Sequence, residues 1–131
     1  MQRRDFITAG ALAACGASLA GGAWAQSGYP ARPVRMVVPF PPGGPTDVMG
    51  RTAAKAMGER LGQQFVVENK AGAGGNIGNA FVAKAAPDGY TVLYNTSSIT
   101  LSPALYKSMQ YDVLRDLAPV ALTAVVPLAL V

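Results

Sequence analysis

The sequence contains no histidine and a single cysteine among its 131 residues, and these absences exclude several kinds of catalytic site. Without histidine, neither a serine–histidine hydrolase site nor a zinc site with histidine ligands can form. Ser97 and Ser98 also lack the G-x-S-x-G surroundings of a nucleophile elbow. The seven acidic residues are too dispersed for a calcium loop. We therefore expect a binding protein, not an enzyme, with no metal or cofactor.

The charge pattern contains no basic run and no basic stretch with interleaved aromatic residues. Eleven Lys and Arg residues stand against seven Asp and Glu residues, which gives a formal net charge of +4. The charges are scattered along the chain, so the pattern argues against nucleic acid as a partner. A mild positive balance is compatible with small acidic ligands.

Residues 1–25 have the composition of an export signal and not of a folded element. Arg3 and Arg4 precede an apolar stretch rich in small residues, and Ala23-Trp24-Ala25 is an A-x-A cleavage site. Residues 2–7 resemble a twin-arginine export signal. The apolar stretch is too short and too rich in Gly and Ala for a membrane span. This pattern predicts a protein exported to the periplasm.

Cys15 leaves two interpretations of the signal open. The residues from Leu12 to Cys15 resemble a lipoprotein processing box, which would leave a lipidated cysteine at the new amino terminus. Cleavage after Ala25 would instead remove Cys15 and leave a mature chain without cysteine. We favour cleavage after Ala25, because the apolar stretch continues to the better-formed site.

The rest of the chain alternates between strand-like and helix-like patterns. The predicted order is strand 34–39, helix 46–61, strand 64–68, a helix that Asn76 caps and that runs to Ala86, strand 90–95 and a short helix that Ser102 caps. Strands that alternate with helices predict an α/β fold with a right-handed parallel sheet.

The segment from Phe40 to Asp47, the first corner, joins the first strand to the first helix. It contains Pro41-Pro42 and Gly43-Gly44, more than a short connection needs. A helix start presents unpaired N–H groups and the positive end of the helix dipole, so it favours an anion. We expect a small carboxylate here. Asp47 is either a first-turn carboxylate or an acceptor for ligand hydrogen bonds.

Two further corners follow the second and third strands, the second corner at Asn69–Asn76 and the third corner at Asn95–Ser98. Ligands of such sheets bind beyond the carboxyl ends of the strands. A dinucleotide site at the second corner is disfavoured, because the third glycine of that motif would fall at Ile77. We expect the glycines there to give backbone room beside a ligand.

The carboxyl end, residues 117–131, is almost wholly apolar and includes Pro119 and Pro127. Two prolines in so short a run exclude a spanning helix, so we expect a buried strand. The run stops without a polar tail, which suggests a fragment whose fold continues further.

Four motifs in this order resemble the substrate-binding receptors of tripartite tricarboxylate transporters, also called the Bug family of periplasmic receptors. They lie at Tyr29–Asp47, Val67–Gly78, Ala83–Thr91 and Pro103–Tyr106. The resemblance as a whole covers essentially all of residues 26–131.

The resemblance implies a type II periplasmic binding protein, or Venus flytrap, of which this chain is the amino-terminal part of lobe 1. Residues 118–131 would lead toward the interdomain crossover, and the second lobe would be absent. The ligand would be a di- or tricarboxylate, or a related organic or amino acid, and the partners would be the permease subunits of the transporter. A receptor that presents its ligand to a membrane signalling protein is the alternative. The implied ligand-binding residues are Phe40, Gly43, Gly44, Thr46, Asp47, Gly74, Asn76, Asn95, Thr96 and Ser97.

Overall fold

The computed structural model describes residues 28–125. The predicted export signal and residues 126–131 lie outside this part, so the structure does not address them. The regular elements, in chain order, are β1 (Val34–Val38), α1 (Pro45–Leu61), β2 (Phe65–Asn69), a short 3-10 turn (Ala73–Gly75), α2 (Asn76–Ala83), β3 (Thr91–Leu93), α3 (Ser98–Leu105) and α4 (Val113–Asp116).

The three strands form one parallel sheet in the order β2-β1-β3. Val34 pairs with Phe65 on one side of β1, and Arg35 pairs with Thr91 on the other. Because all three strands run the same way, the three corners that follow them lie at one edge of the sheet. The predicted parallel α/β architecture is confirmed.

β1 forms the core of the sheet. Val34, Met36, Val37 and Val38 each expose 2% or less of their surface. A strand with neighbours on both sides and helices on both faces is apolar on both of its faces, and β1 follows this pattern at every position except the exposed Arg35.

The first two helices lie on opposite faces of the sheet. Gly50 of α1 faces the side chains of Val38 and Tyr94, and Gly78 of α2 faces Pro39. Consecutive strand residues point to opposite faces, so α1 and α2 cover different sides. The chain therefore adds β2 on one side of β1 and β3 on the other, which makes the boundary between β1 and β3 a topological switch point. In such sheets the ligand crevice lies beyond the carboxyl ends of these two strands.

The residues before β1 are fastened to the turn before β3, at the opposite end of the sheet from the corners. Tyr29 donates a hydrogen bond to the carbonyl of Gly89 at 2.6 Å, and its ring packs edge-on against Tyr90 with centroids 5.2 Å apart. Arg32 lies over the Tyr90 ring and pairs with Asp88 at 3.0 Å.

The two predicted helix caps, Asn76 and Ser102, are wrong. α2 begins at Asn76 with Gly75 as its N-cap, because the side chain of Asn76 bonds a distant tyrosine instead of its own helix. α3 begins at Ser98 and contains Pro103, although we predicted a helix that starts after Ser102. The hydroxyl of Ser102 instead donates to the carbonyl of Ser98 at 3.0 Å, one turn back inside the helix.

The predicted carboxyl-terminal strand is not found in the residues that are described, 117–125. Val120 and Leu122 are 92% and 83% exposed, and Thr123 makes a single side-chain hydrogen bond to the Tyr94 hydroxyl. Neither edge of the three-stranded sheet pairs with this segment. Pro119 has no N–H to give to a strand ladder, which disfavours pairing there.

Candidate functional site

The first corner turns β1 into α1 through a glycine in the left-handed region. Gly43 has φ +81°, and a Cβ at this position would meet nothing within 4 Å, so its outer side is open. Gly44 is the N-cap of α1, no side chain caps the helix start, and Pro45 is the first helical residue. The N–H groups of Thr46 and Asp47 therefore have no intrahelical acceptor, as expected for the anion site predicted here.

Asp47 is buried beneath the first corner, where it accepts hydrogen bonds from three protein groups. The N–H of Gly43 and Nε of Arg51 donate to Oδ2, each at 2.9 Å, and Nδ2 of Asn69 donates to Oδ1 at 2.9 Å. The Asp47 side chain is only 4% exposed, against 52% for Arg51. The Arg51 guanidinium, with the Gly43 N–H and the Asn69 amide, holds the pKa of Asp47 well below its ordinary range.

Asn69, the last residue of β2, ties the second corner to the first. Besides its bond to Asp47, its amide nitrogen donates to the carbonyl of Phe40 at 3.1 Å, and its oxygen accepts from Arg51 at 3.0 Å. The Asp47 network (Asp47, Arg51 and Asn69) therefore fixes the path of residues 40–43.

The second corner brings the start of α2 against the end of β1. Gly75 has φ +97°, and a Cβ there would lie 3.5 Å from the side chain of Pro39. Gly74 has φ +64° and lies beneath the Tyr106 hydroxyl, which would be 2.7 Å from a Cβ. Both positions favour glycine because of the left-handed conformation, and at Gly74 the close Tyr106 hydroxyl adds to this preference.

The third corner is a compact polar turn after β3. Oδ1 of Asn95 accepts from the N–H of Thr96 at 2.7 Å and from the Ser98 hydroxyl at 3.2 Å. Ser97 is the N-cap of α3, and its carbonyl accepts from the N–H and the hydroxyl of Thr100.

A buried chain of side-chain hydrogen bonds joins the third corner to the second. Nδ2 of Asn95 donates to Oδ1 of Asn79 at 2.7 Å, Nδ2 of Asn79 donates to the Tyr111 hydroxyl at 2.8 Å, and that hydroxyl donates to Oδ1 of Asn76 at 2.7 Å. Asn79 is fully buried and Tyr111 is 7% exposed. We call these four residues the amide relay.

The structure thus brings all ten predicted residues to one edge of the sheet, in three corners that are bonded to one another. Whether they contact a ligand remains a prediction. Four residues with structural roles at this edge are not among the ten predicted site residues. The i to i+4 spacing of Asp47 and Arg51 could have indicated one of them. The other three, Asn69, Asn79 and Tyr111, depend on packing between distant segments.

The three corners are rich in hydrogen-bond donors. Helix-start N–H groups, amides and hydroxyls are exposed or half-buried there, and the one buried carboxylate, Asp47, already accepts from Arg51 and two other protein donors. Within residues 28–125, no group of three or more acidic or cysteine side chains is placed to hold a metal ion. Such a surface can hold the oxygens of a small anion.

The family of the chain follows from its similarity to known proteins. The model of the tripartite tricarboxylate transporter family receptors matches residues 49–131. The chain belongs to this receptor family. It is 54% identical over 105 residues to protein BugT of Bordetella pertussis, an alignment that covers 79% of this chain and 32% of BugT.

Solved structures of such receptors share the fold. The periplasmic binding protein BugD is 52% identical, with a TM-score of 0.62 over 64% of this chain and 28% of BugD. A protein of R. palustris, solved with adipate, is 43% identical, with a TM-score of 0.62 over 65% of this chain and 29% of its own. The chain therefore has the α/β fold of periplasmic binding proteins, and it belongs to a family of solute-binding receptors.

The chain spans about a third of the length of the curated relatives that it matches. In residues 28–125, no helix has the length and apolar character needed to cross a membrane.

Proposed function

We propose that this protein is a periplasmic receptor that captures a small carboxylate and delivers it to a tripartite tricarboxylate-type membrane permease. The ligand is a di- or tricarboxylate, or a related organic or amino acid. Phe40, Gly43, Gly44 and Thr46 of the first corner contact it, together with Gly74 and Asn76 of the second corner and Asn95, Thr96 and Ser97 of the third corner.

The observation that carries the proposal is that the Asp47 carboxylate is already hydrogen-bonded within the protein. An unpaired carboxylate at the start of α1 would repel an anionic ligand, but here three protein donors already occupy it. The N–H groups at the start of α1 and the positive end of the helix dipole are left for the ligand. We therefore assign Asp47 the role of holding the first corner in place, in preference to direct ligand contact. The receptor solved with adipate supports the carboxylate class.

The proposal is tested by thermal unfolding of the native gene product against a panel of dicarboxylates, tricarboxylates and amino acids, with the matching neutral diamides as controls. A ligand that binds only the folded state stabilises it by about 2.7 kcal/mol at a hundred times its dissociation constant. We expect one or two acids to raise the midpoint by several degrees and their diamides to have no effect. If none does, the supernatant of the denatured protein is analysed by mass spectrometry, because a tightly held ligand would mask the effect.

Two threonines on α1 provide a matched pair for locating the site. Thr46 is half-buried at the second helical position, whereas the exposed Thr52 bonds the carbonyl of Val48 at 2.9 Å, more than one turn further along. Thr46→Ala should weaken carboxylate binding about three- to tenfold, the loss of one hydrogen bond. Thr52→Ala should leave it unchanged. Equal affinities in the two variants would place the ligand away from the first corner.

Delivery to a permease requires a cellular test. Deletion of the gene should abolish uptake of the acid identified in the panel, and a plasmid copy should restore it. Binding without any effect on uptake would argue against the transport role.

A further inference from the structure

The direction of every hydrogen bond in the amide relay is fixed by one backbone group. The N–H of Thr96 can only donate, and it lies 2.7 Å from the side chain of Asn95, so the atom that faces it is Oδ1. The amide nitrogen of Asn95 must then face Asn79, which it contacts at 2.7 Å.

The same reasoning passes along the relay from Asn79 to Tyr111 and Asn76. Asn79 receives a donor on its oxygen, so its nitrogen faces the Tyr111 hydroxyl at 2.8 Å. A hydroxyl that accepts from one side has its proton available for the other side, where it lies 2.7 Å from Oδ1 of Asn76. The oxygens of Asn76, Asn79 and Asn95 are all occupied in this arrangement.

We infer that Asn79 and Tyr111 are positioning residues that leave amide N–H groups of Asn76 and Asn95 available to a ligand. Among the described residues, no hydrogen bond uses the amide nitrogen of Asn76, and one N–H of Asn95 is likewise unused. Both side chains are half-buried. At these two side chains the relay therefore favours ligand groups that accept hydrogen bonds, such as carboxylates, over groups that only donate. This inference rests on the proposed function for its ligand class, but the orientation of Asn76 can be measured without a ligand.

Asn79→Asp tests the polarity with almost no change of shape. An ionised carboxylate only accepts hydrogen bonds, so the Tyr111 hydroxyl would donate to it. The tyrosine oxygen would then face Asn76 as an acceptor, and Asn76 would turn its nitrogen inward and its oxygen outward. Tyr111→Phe is the second variant, since it releases Asn76 without adding a charge. The matched control is Tyr29→Phe, which deletes a tyrosine hydrogen bond of 2.6 Å at the opposite end of the sheet.

The first measurement is the NMR signal of the Asn76 side-chain amide in the native gene product and the three variants. We expect the chemical shift of this amide to change in Asn79→Asp and in Tyr111→Phe but not in Tyr29→Phe. An unmoved signal in the first two variants would overturn the relay. If the signal moves while the wild type binds no carboxylate in the panel, the relay stands and the proposed function fails.

The second measurement is affinity for the acid that the wild type binds and for its diamide. Asn79→Asp should weaken binding of the acid about ten- to hundredfold, because a donor to a charged acceptor is replaced by an oxygen, and it should raise the diamide's affinity relative to that of the acid. Tyr111→Phe should have a smaller effect in the same direction. An equal loss for the acid and the diamide would reduce the relay to a structural role and overturn the inference.

Discussion

Gly78→Ala should destabilise the protein, although alanine favours a helix. Gly78 lies inside α2 at its contact with the end of β1. A Cβ at this position would be 2.7 Å from the Cβ of Pro39, 2.9 Å from the carbonyl oxygen of Lys70 and 3.0 Å from the Cα of Pro39. Two of these three atoms belong to the backbone, and Pro39 is fully buried, so no flexible side chain can move aside.

The sign of the effect follows from two opposing magnitudes. Replacing glycine by alanine inside a helix stabilises by about 1 kcal/mol. Overpacking a buried contact costs about 1–3 kcal/mol, and three contacts at or below 3.0 Å place this one near the upper end. We expect the free energy of unfolding to fall by about 1–2 kcal/mol. Relief of the clash would move the start of α2 away from Pro39 and carry Asn76 with it, so carboxylate affinity should fall as well.

The assay is denaturant unfolding of the native gene product, with Gly58→Ala as the control. Gly58 also lies inside a helix, but a Cβ there would meet one backbone oxygen at 3.2 Å and little else. The gain in helix preference should then nearly offset or exceed the energetic cost of this contact. The free energies of unfolding of the two variants should therefore differ by about 2 kcal/mol. Equal stability of Gly78→Ala and Gly58→Ala would refute the close approach of α2 to β1.

Two further predictions concern charge and core. Asp47 has a lowered pKa, so its stabilising contribution is present above the ordinary value of 3.8 and is lost as the pH falls below it. The difference in unfolding midpoint between wild type and Asp47→Asn should be constant from about pH 7 to 5 and shrink below about pH 4; a constant difference down to pH 3 would contradict this. Met36→Ala should cost about 2–5 kcal/mol in urea unfolding because the side chain is fully buried. Leu114→Ala, at a residue 95% exposed, should stay within about 0.5 kcal/mol of wild type, and similar losses in both would contradict the assigned core.

The fold and the general location of the site could be predicted because both depend on local patterns. Residues 34–38 are apolar apart from Arg35, as in a buried parallel strand. The Pro/Gly corner at 40–45 marks the helix start that follows. Alternation of strands and helices then places the corners at one edge of the sheet. None of these steps requires knowledge of which distant residues touch.

Residues whose side chains have distant partners could not be predicted from the sequence. Asn76 has the residue type of a helix cap, but its oxygen is taken by Tyr111, 35 positions further along, and Gly75 serves as the cap instead. Asn79 lies inside a helix, where asparagine is a poor helix former. Its presence is explained only by the buried bonds to Asn95 and Tyr111.

The two networks hold their corners by different physical means, and this difference separates their contributions to binding. The Asp47 network depends on an ionised carboxylate beside the half-exposed Arg51, so acid and high salt should loosen the first corner. The amide relay consists of neutral groups and is largely buried, so neither acid nor salt acts on it directly. A carboxylate ligand also becomes protonated in acid. High salt at neutral pH leaves the carboxylates of Asp47 and of the ligand charged. It is therefore the condition that weakens the first corner while the hydrogen bonds of the relay keep their direction.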